Sequence, residues 1–420
     1  MLGIGLNANV AMIESAQTLP LVILLMGVAL TLSILIKTLL EKIGIPALIG
    51  YLTLGFILKL ADVEWDFLSV EAEEIFEFLA ELGIISLLFR VGLESDLLGL
   101  LRQLPKALGI LIGDVLISGF FGFVTAYFFL KIALIPSLFI AVAFTATSVG
   151  VSVSVWREKN AIRSRNGEIL LDVAEMDDIA SVILMALLFA VAPSLHNGNG
   201  TTVSILSTLA VTSKLFLIKA IFFSTLCLLF SRYVEINLTK FFSKIEKPPD
   251  PMLEVVGVGF IIAALAGLLG FSAAIGAFFA GLLFSRDPEA VKMNASFGAL
   301  YQLFTPFFFI GIGLNIQPRA LNTGLVIGSI LLIAAVIGKL IGAGIPAFFA
   351  TGWTGATLIG FSMIPRAEIS MIVMQRGLIL GDWAVPQAVF AAMVFVCATT
   401  SVMVPIFLHY LLGNLQLQEE

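Results

Sequence analysis

Runs of about twenty apolar residues recur along the whole chain, and this feature limits the possible folds more than any other. At roughly 1.5 Å per helical residue, such a run covers the ~30 Å hydrocarbon core of a bilayer. Inside hydrocarbon every backbone N–H and C=O must find its partner within the protein, so only α-helices and closed barrels cross it. Barrel strands would alternate polar and apolar residues, and segments such as Gly324–Ile333 do not. Only 12% of the 420 residues are charged and 59% are hydrophobic. A soluble domain carries about twice that share of charge. Soluble enzymes, nucleic-acid binders and disordered chains are therefore excluded, and an all-α polytopic membrane protein remains. Cys227 and Cys397 both sit in apolar runs and read as buried, inert thiols.

Thirteen spans are expected, near residues 18–37, 45–61, 74–94, 107–130, 134–155, 168–192, 212–231, 253–269, 271–285, 298–316, 324–349, 354–376 and 385–412. The stretch 253–285 divides in two because Gly270 supplies a turn signal. The first run lacks a basic leading segment and is followed by further spans, so it is not read as a cleaved signal. The net charge of −6 says little, but the placement of the 23 Lys and Arg residues is informative. With the N-terminus outside and the C-terminus cytoplasmic, most basic loop residues fall inside, among them Lys37, Lys42, Arg157, Lys159, Arg163, Arg165, Arg232, Lys240, Lys244, Lys247 and Arg286. The opposite side receives Lys59, Lys131, Lys214, Arg319 and Arg376. Arg90, Lys219, Lys339 and Arg366 lie within spans.

The chain also repeats itself. Gly44, Ala47, Ile49, Gly50 and Gly55 match Gly270, Ala273, Ile275, Gly276 and Gly281 at one constant offset. Phe89-Arg-Val-Gly-Leu-Glu94 likewise resembles Ile310-Gly-Ile-Gly-Leu-Asn315. Spans seven apart run in opposite directions, so the pattern is an inverted repeat of six helices, with 212–231 as the linker helix. Inverted repeats are the architecture of secondary transporters, which hold substrate near the midplane between broken helices. The repeat directs attention to Phe144-Thr-Ala-Thr-Ser-Val-Gly150 and Phe361-Ser-Met-Ile-Pro-Arg-Ala-Glu-Ile-Ser370. Each interrupts an apolar helix with hydroxyl residues, and Pro365 removes a backbone donor and frees carbonyls. Two broken, crossing helices are expected there.

The ionisable residues inside spans carry the chemistry. Asp177 and Asp178 lie about eleven residues into their span, roughly 17 Å along it. Adjacent helix positions diverge by about 100°, so Asp178 continues a stripe with Glu175 and Asp172 while Asp177 faces elsewhere. A carboxylate at that depth costs several kcal/mol unless paired, hydrated or protonated, and out of water it holds its proton more tightly. Lys339 stands mid-span with no neighbour in sequence to neutralise it, so a carboxylate on another helix must. Arg366 and Glu368 flank the second break; fixed ion pairing is the alternative reading for them and for Lys339. Asp114 and Arg90 carry less weight, and Arg90 and Lys219 are expected to snorkel.

At these residues the chain resembles the monovalent cation/proton antiporters, the group that includes bacterial sodium/proton exchangers and Kef-type potassium efflux proteins. The resemblance covers nearly the whole chain and rests on Leu88-Phe-Arg-Val-Gly-Leu-Glu94, Thr145-Ala-Thr-Ser-Val149, Asp177–Asp178, Pro306-Phe-Phe-Phe-Ile-Gly-Ile-Gly313 and Ile364-Pro-Arg-Ala-Glu368. It implies thirteen helices in a homodimer that works by elevator motion. It divides the chain into a dimerisation domain (18–94 and 253–316) and a transport core (107–192 and 324–412). It assigns Asp178 as the shared cation and proton site, helped by Thr145 or Thr147, with Asp177 and Lys339 as a switchable ion pair and more than one proton per cation. Two features depart from the pattern: Ala367 stands where the family usually has Gly, and Asp172 and Glu175 are additional acids. They either line a cytoplasmic funnel that attracts cations or pair with Arg366. No nucleotide-binding regulatory domain follows the last span, so ligand gating of the Kef kind is not expected, nor is any cofactor or nucleic-acid partner.

The expected activity is therefore exchange of Na+, or K+ or Li+, for protons across a bacterial cytoplasmic membrane. A sodium-coupled organic-anion symporter and a cation channel without proton coupling are the alternatives. An intramembrane aspartyl protease would place its two acids on facing helices, which adjacent Asp177 and Asp178 do not do.

Overall fold

The computed structural model describes residues 2–94, 97–197, 202–230, 233, 251–284 and 290–419, and the regular structure in them is all helical. Arg232, Lys240, Lys244, Lys247 and Arg286, used above for orientation, lie outside the described residues, as do Ser231 and Ser285 at the ends of two expected spans. The helices are α1 (Leu2–Lys42), α2 (Ala47–Trp65), α3 (Val70–Glu94), α4 (Leu97–Val124), α5 (Leu134–Thr145), α6 (Val149–Glu158), α7 (Arg165–His196), α8 (Thr202–Phe230), α9 (Pro251–Leu268), α10 (Ala273–Phe284), α11 (Ala290–Leu314), α12 (Leu321–Lys339), α13 (Ile345–Ser362), α14 (Glu368–Leu380) and α15 (Gln387–Glu419). One π-helical turn, Thr125–Phe129, extends α4, and another, Leu340–Gly344, joins α12 to α13. Within α13 the helix is interrupted at Gly352 (φ 72°, ψ −172°), a conformation open to glycine and costly for any residue with a β-carbon. The expected gap between the eleventh and twelfth spans falls there. Gly270, with φ 87°, likewise separates α9 from α10. Counting α5–α6, α12 with the first part of α13, and the end of α13 with α14 each as one segment gives thirteen helical segments among the described residues.

Among the described residues, eight segments are long and apolar enough to cross a membrane. Their surfaces say the same. Only 17% of the apolar window in Pro20–Lys42 is buried, and Leu21 and Ile23 are each 60% exposed. A helix apolar on every face and bare on most of them is stable only in hydrocarbon.

The chain divides into two compact units. The first comprises Met1–Ser86 and Ala299–Pro318. In it α2 and α11 meet backbone to backbone. Gly55 abuts the carbonyl of Ile310, and Gly313 abuts Leu52 and Phe56, so a β-carbon at either glycine has no room. The second unit comprises Leu87–Gly298 and Arg319–Glu420. There Gly281 of α10 abuts Phe89, and Gly92 of α3 abuts Phe278. Small residues let helices approach closely in lipid, where dispersion contacts replace the hydrophobic drive.

The same unit holds a bundle in which α4 packs on α5, α7 and α12, while α12 also packs along α15. Glycines set the α4–α12 approach: a β-carbon on Gly342 would lie 3.0 Å from the Gly113 carbonyl, and one on Gly338 would lie 3.3 Å from the Ser118 Cα. Trp156 of α6 is fully buried, and its Nε1 donates to Ser362 Oγ at 2.9 Å.

Candidate functional site

Both expected breaks are present, and they touch. The helix beginning at Leu134 stops at Thr145, where Thr-Ala-Thr-Ser offers the backbone side-chain hydroxyls in place of the next turn. Ala146 is extended (φ −67°, ψ 138°), and helix resumes at Val149. The second break runs from Met363 to Ala367 around Pro365. Ser148 N donates to Pro365 O at 2.7 Å, directly joining the two interruptions.

A helix that ends leaves four carbonyls without intrahelical partners, and burying them unpaired would be costly. At the end of α5 each of the four has a donor. Thr145 Oγ1 donates to Val142 O (2.8 Å), and Ser370 Oγ to Ala143 O (2.7 Å). Arg366 Nη2 donates to Phe144 O (3.1 Å), and Lys339 Nζ to Thr145 O (2.6 Å). Two cations thus meet the negative end of the α5 dipole, the orientation that stabilises both.

Arg366 is fully buried and binds backbone. Besides Phe144 O it donates to Ala335 O (3.3 Å) and Ile364 O (2.9 Å), and its guanidinium lies 4.8 Å from the Phe144 ring centroid. None of these hydrogen-bond partners is a carboxylate. Arg366 is thus held by backbone carbonyls, and the expected partner Glu368 is engaged elsewhere. Glu368 instead opens α14 and accepts from Ser148 Oγ at 2.7 Å, which places its charge beside the positive ends of α6 and α14. Thr400 and Ser401 of α15 serve the break as well, the first accepting from Arg366 N (3.2 Å) and the second donating to Arg366 O (3.2 Å). Ala367 precedes α14 with φ −147° and ψ −96°.

Lys339 is fully buried at the start of the π-helical turn. π-turns recur at functional positions because they re-aim the side chains around them. Its Nζ lies 2.5 Å from Asp114 Oδ2, 2.6 Å from Thr145 O and 2.7 Å from Thr147 Oγ1, and 4.0 Å from Asp177 Oδ2. An ammonium has three hydrogens, and those three short bonds use them all. Asp177 is fully buried, and neither of its carboxylate oxygens has a hydrogen-bond partner among the described residues. Asp178, one residue on, is half-buried in the same stripe as half-buried Asp172 and Glu175. The charges of Asp177, Glu368, Glu94 and Glu175 all act on it.

The fold therefore gathers Asp177, Asp178, Thr145, Thr147, Lys339, Arg366, Glu368 and Pro365 around two helix breaks. Asp172 and Glu175 lie further along α7 towards its N-terminus. Thr145 and Thr147, expected as cation ligands, direct an oxygen each to Lys339. Asp114 is the residue that sequence reasoning undervalued. A fully buried Lys without a local partner and a lone mid-span Asp are each other's natural complement, and that matching was the available signal.

Residues 12–412 match the transmembrane sodium/hydrogen exchanger family. A Na(+)/H(+) antiporter of Enterococcus hirae is 28% identical over 372 residues, 88% of this chain and 92% of that one. The Na(+)/H(+)-K(+) antiporter GerN of Bacillus cereus is 28% identical over 376 residues, 89% and 91% of the two chains. Among solved structures, the sodium proton antiporter MjNhaP1 from Methanocaldococcus jannaschii has a TM-score of 0.71 at 16% identity, covering 94% of this chain and 98% of that one. With a family match over residues 12–412, the chain belongs to the transmembrane sodium/hydrogen exchanger family, a monovalent cation/proton antiporter and not an enzyme.

Proposed function

We propose that the chain exchanges Na+ for protons, with Li+ and K+ as competing alkali ions, and that Asp178 is the carboxylate both substrates share. The observation that carries this is the Asp177–Asp178 pair, held beside two touching helix breaks, with the Asp177 carboxylate without a hydrogen bond among the described residues. With the site open to one side, Asp178 loses its proton and takes a partly dehydrated cation. Oxygen ligands suit such a hard ion, and the surrounding acids concentrate it. A site whose negative charge is reduced by either partner crosses an apolar barrier more readily than the bare pair of carboxylates, whose desolvation cost is largest. That difference makes the exchange obligatory.

In this reading 107–192 and 324–412 form a mobile transport core, 18–94 and 253–316 a scaffold through which two copies dimerise, and 212–231 the linker. Movement is of the elevator kind, in a bacterial cytoplasmic membrane with the N-terminus outside. The inverted repeat is supported by paired glycine contacts. Gly55 packs on Ile310 and Gly281 on Phe89; Gly313 packs on Leu52 and Gly92 on Phe278. Under the offsets read from the sequence, each contact is the image of the other. More than one proton per cation is expected, because two acids stand at the site. The test is a pH-sensitive dye in proteoliposomes given an outward proton gradient and a pulse of alkali salt. Wild type collapses the gradient, while Asp178→Asn, correctly folded, does not; exchange retained in Asp178→Asn removes the assignment.

A further inference from the structure

We propose that Asp114 is the standing counter-ion of Lys339, and that by holding this lysine it sets how many protons exchange for one cation. The inference rests on the reading of Asp178 as the exchange site and adds to it a positioning residue on α4. Both groups are fully buried, so each needs a partner of opposite charge. Asp114 meets Lys339 at 2.5 Å and Asp177 stands off at 4.0 Å. All three ammonium hydrogens are directed elsewhere, which agrees with the unbonded oxygens of Asp177. The arrangement is built into the backbone. Gly113 and Gly342 let α4 touch the π-helical turn beside this pair, and Ser118 Oγ donates to the other Asp114 oxygen at 3.3 Å.

The charge count follows. Asp114 with Lys339 sums to zero, and the single charges of Arg366 and Glu368 cancel in the count although the two side chains have separate partners. The Asp177–Asp178 pair is left with two negative charges when bare, one with an alkali ion bound, and none with two protons bound. Two protons therefore exchange for one cation, and net charge moves. Without the charge on Asp114, Lys339 turns to Asp177 nearby. Only Asp178 then remains to be filled, and exchange becomes one for one and electroneutral.

The test is the balance point of purified protein in proteoliposomes, with the membrane potential clamped at zero and a tenfold sodium gradient imposed. Net proton flux should vanish at about half a pH unit for two protons per cation and at about one unit for one. Wild type is expected at about half a unit, Asp114→Asn at about one, and Asp114→Glu at about half. The double variant Asp114→Asn with Lys339→Gln removes both charges and returns the balance to about half a unit. A purely structural role for Asp114 would change the amount of folded protein or its rate but not this balance. The proposal is overturned if wild type balances at one unit, or if folded Asp114→Asn balances with wild type. Where Asp114→Asn alone does not elute as a folded species, the double variant decides: half a unit supports the proposal and one unit overturns it. Exchange persisting in Asp178→Asn would instead defeat the underlying site assignment, so the two failures are distinct.

Discussion

Replacing Arg366 with Met removes a guanidinium that ties the two helix breaks to a third helix. Its three acceptors belong to different segments: Phe144 at the end of α5, Ile364 inside the second break and Ala335 on α12. Each carbonyl left unpaired in a buried setting costs ~1–3 kcal/mol. Hydrogen bonds between membrane helices average only ~0.6 kcal/mol because the unfolded segments find other partners. The contact with the Phe144 ring adds ~0.5–2 kcal/mol. Taking values between these limits, Arg366→Met should lower the stability of its unit by about 3–5 kcal/mol. At ~2–4 °C per kcal/mol for a domain of ~150–250 residues, and somewhat less for a larger one, the midpoint should fall by roughly 5–10 °C. Arg366→Lys keeps the positive charge at the end of α5 but not the fork, and should recover about half of the loss. Heating detergent-solubilised protein and following the folded peak by fluorescence-detected size exclusion gives the comparison at one fixed heating rate. A midpoint for Arg366→Met within about 1 °C of wild type would refute the view that this arginine acts by satisfying carbonyls.

Two further outcomes follow from packing. Gly55→Ala and Gly281→Ala each place a β-carbon against a backbone carbonyl, of Ile310 and Phe89 respectively, and should each cost about 1–3 kcal/mol by forcing helices apart. Similar midpoint losses in the two variants are expected, and a loss in one alone would count against their equivalence in the repeat. Trp156→Phe removes the donor to Ser362 Oγ and part of a fully buried side chain, and should cost about 1–3 kcal/mol in the same assay. A Trp156→Phe protein as stable as wild type would show that this bond contributes nothing to the packing of α6 on α13.

Local patterns made most of the architecture legible. Apolar length marked the spans, Gly270 marked the turn between α9 and α10, and Pro365 with its hydroxyl neighbours marked the second break. The same local rules identified Asp177 and Asp178, because two adjacent acids in hydrocarbon are costly wherever they fold. Partnerships were another matter. Arg366 and Glu368, two residues apart, suggested an ion pair, yet the unwinding that Pro365 causes gives Arg366 three carbonyls and sends Glu368 to Ser148. Lys339 and Asp114 are 225 positions apart, and only the complementarity of two lone mid-span charges links them, with no local pattern to say that their helices meet. Sequence periodicity reports which face a residue occupies; the identity of its partner depends on which helices the topology brings together.

The central claim is that one carboxylate, Asp178, holds either a proton or an alkali cation but not both. Adding NaCl to lightly buffered, purified protein in detergent, with a pH indicator and a choline chloride control, measures this directly. Protons should be released as sodium binds, and Asp178→Asn should release none. Sodium binding without proton release in the wild-type protein would contradict the account.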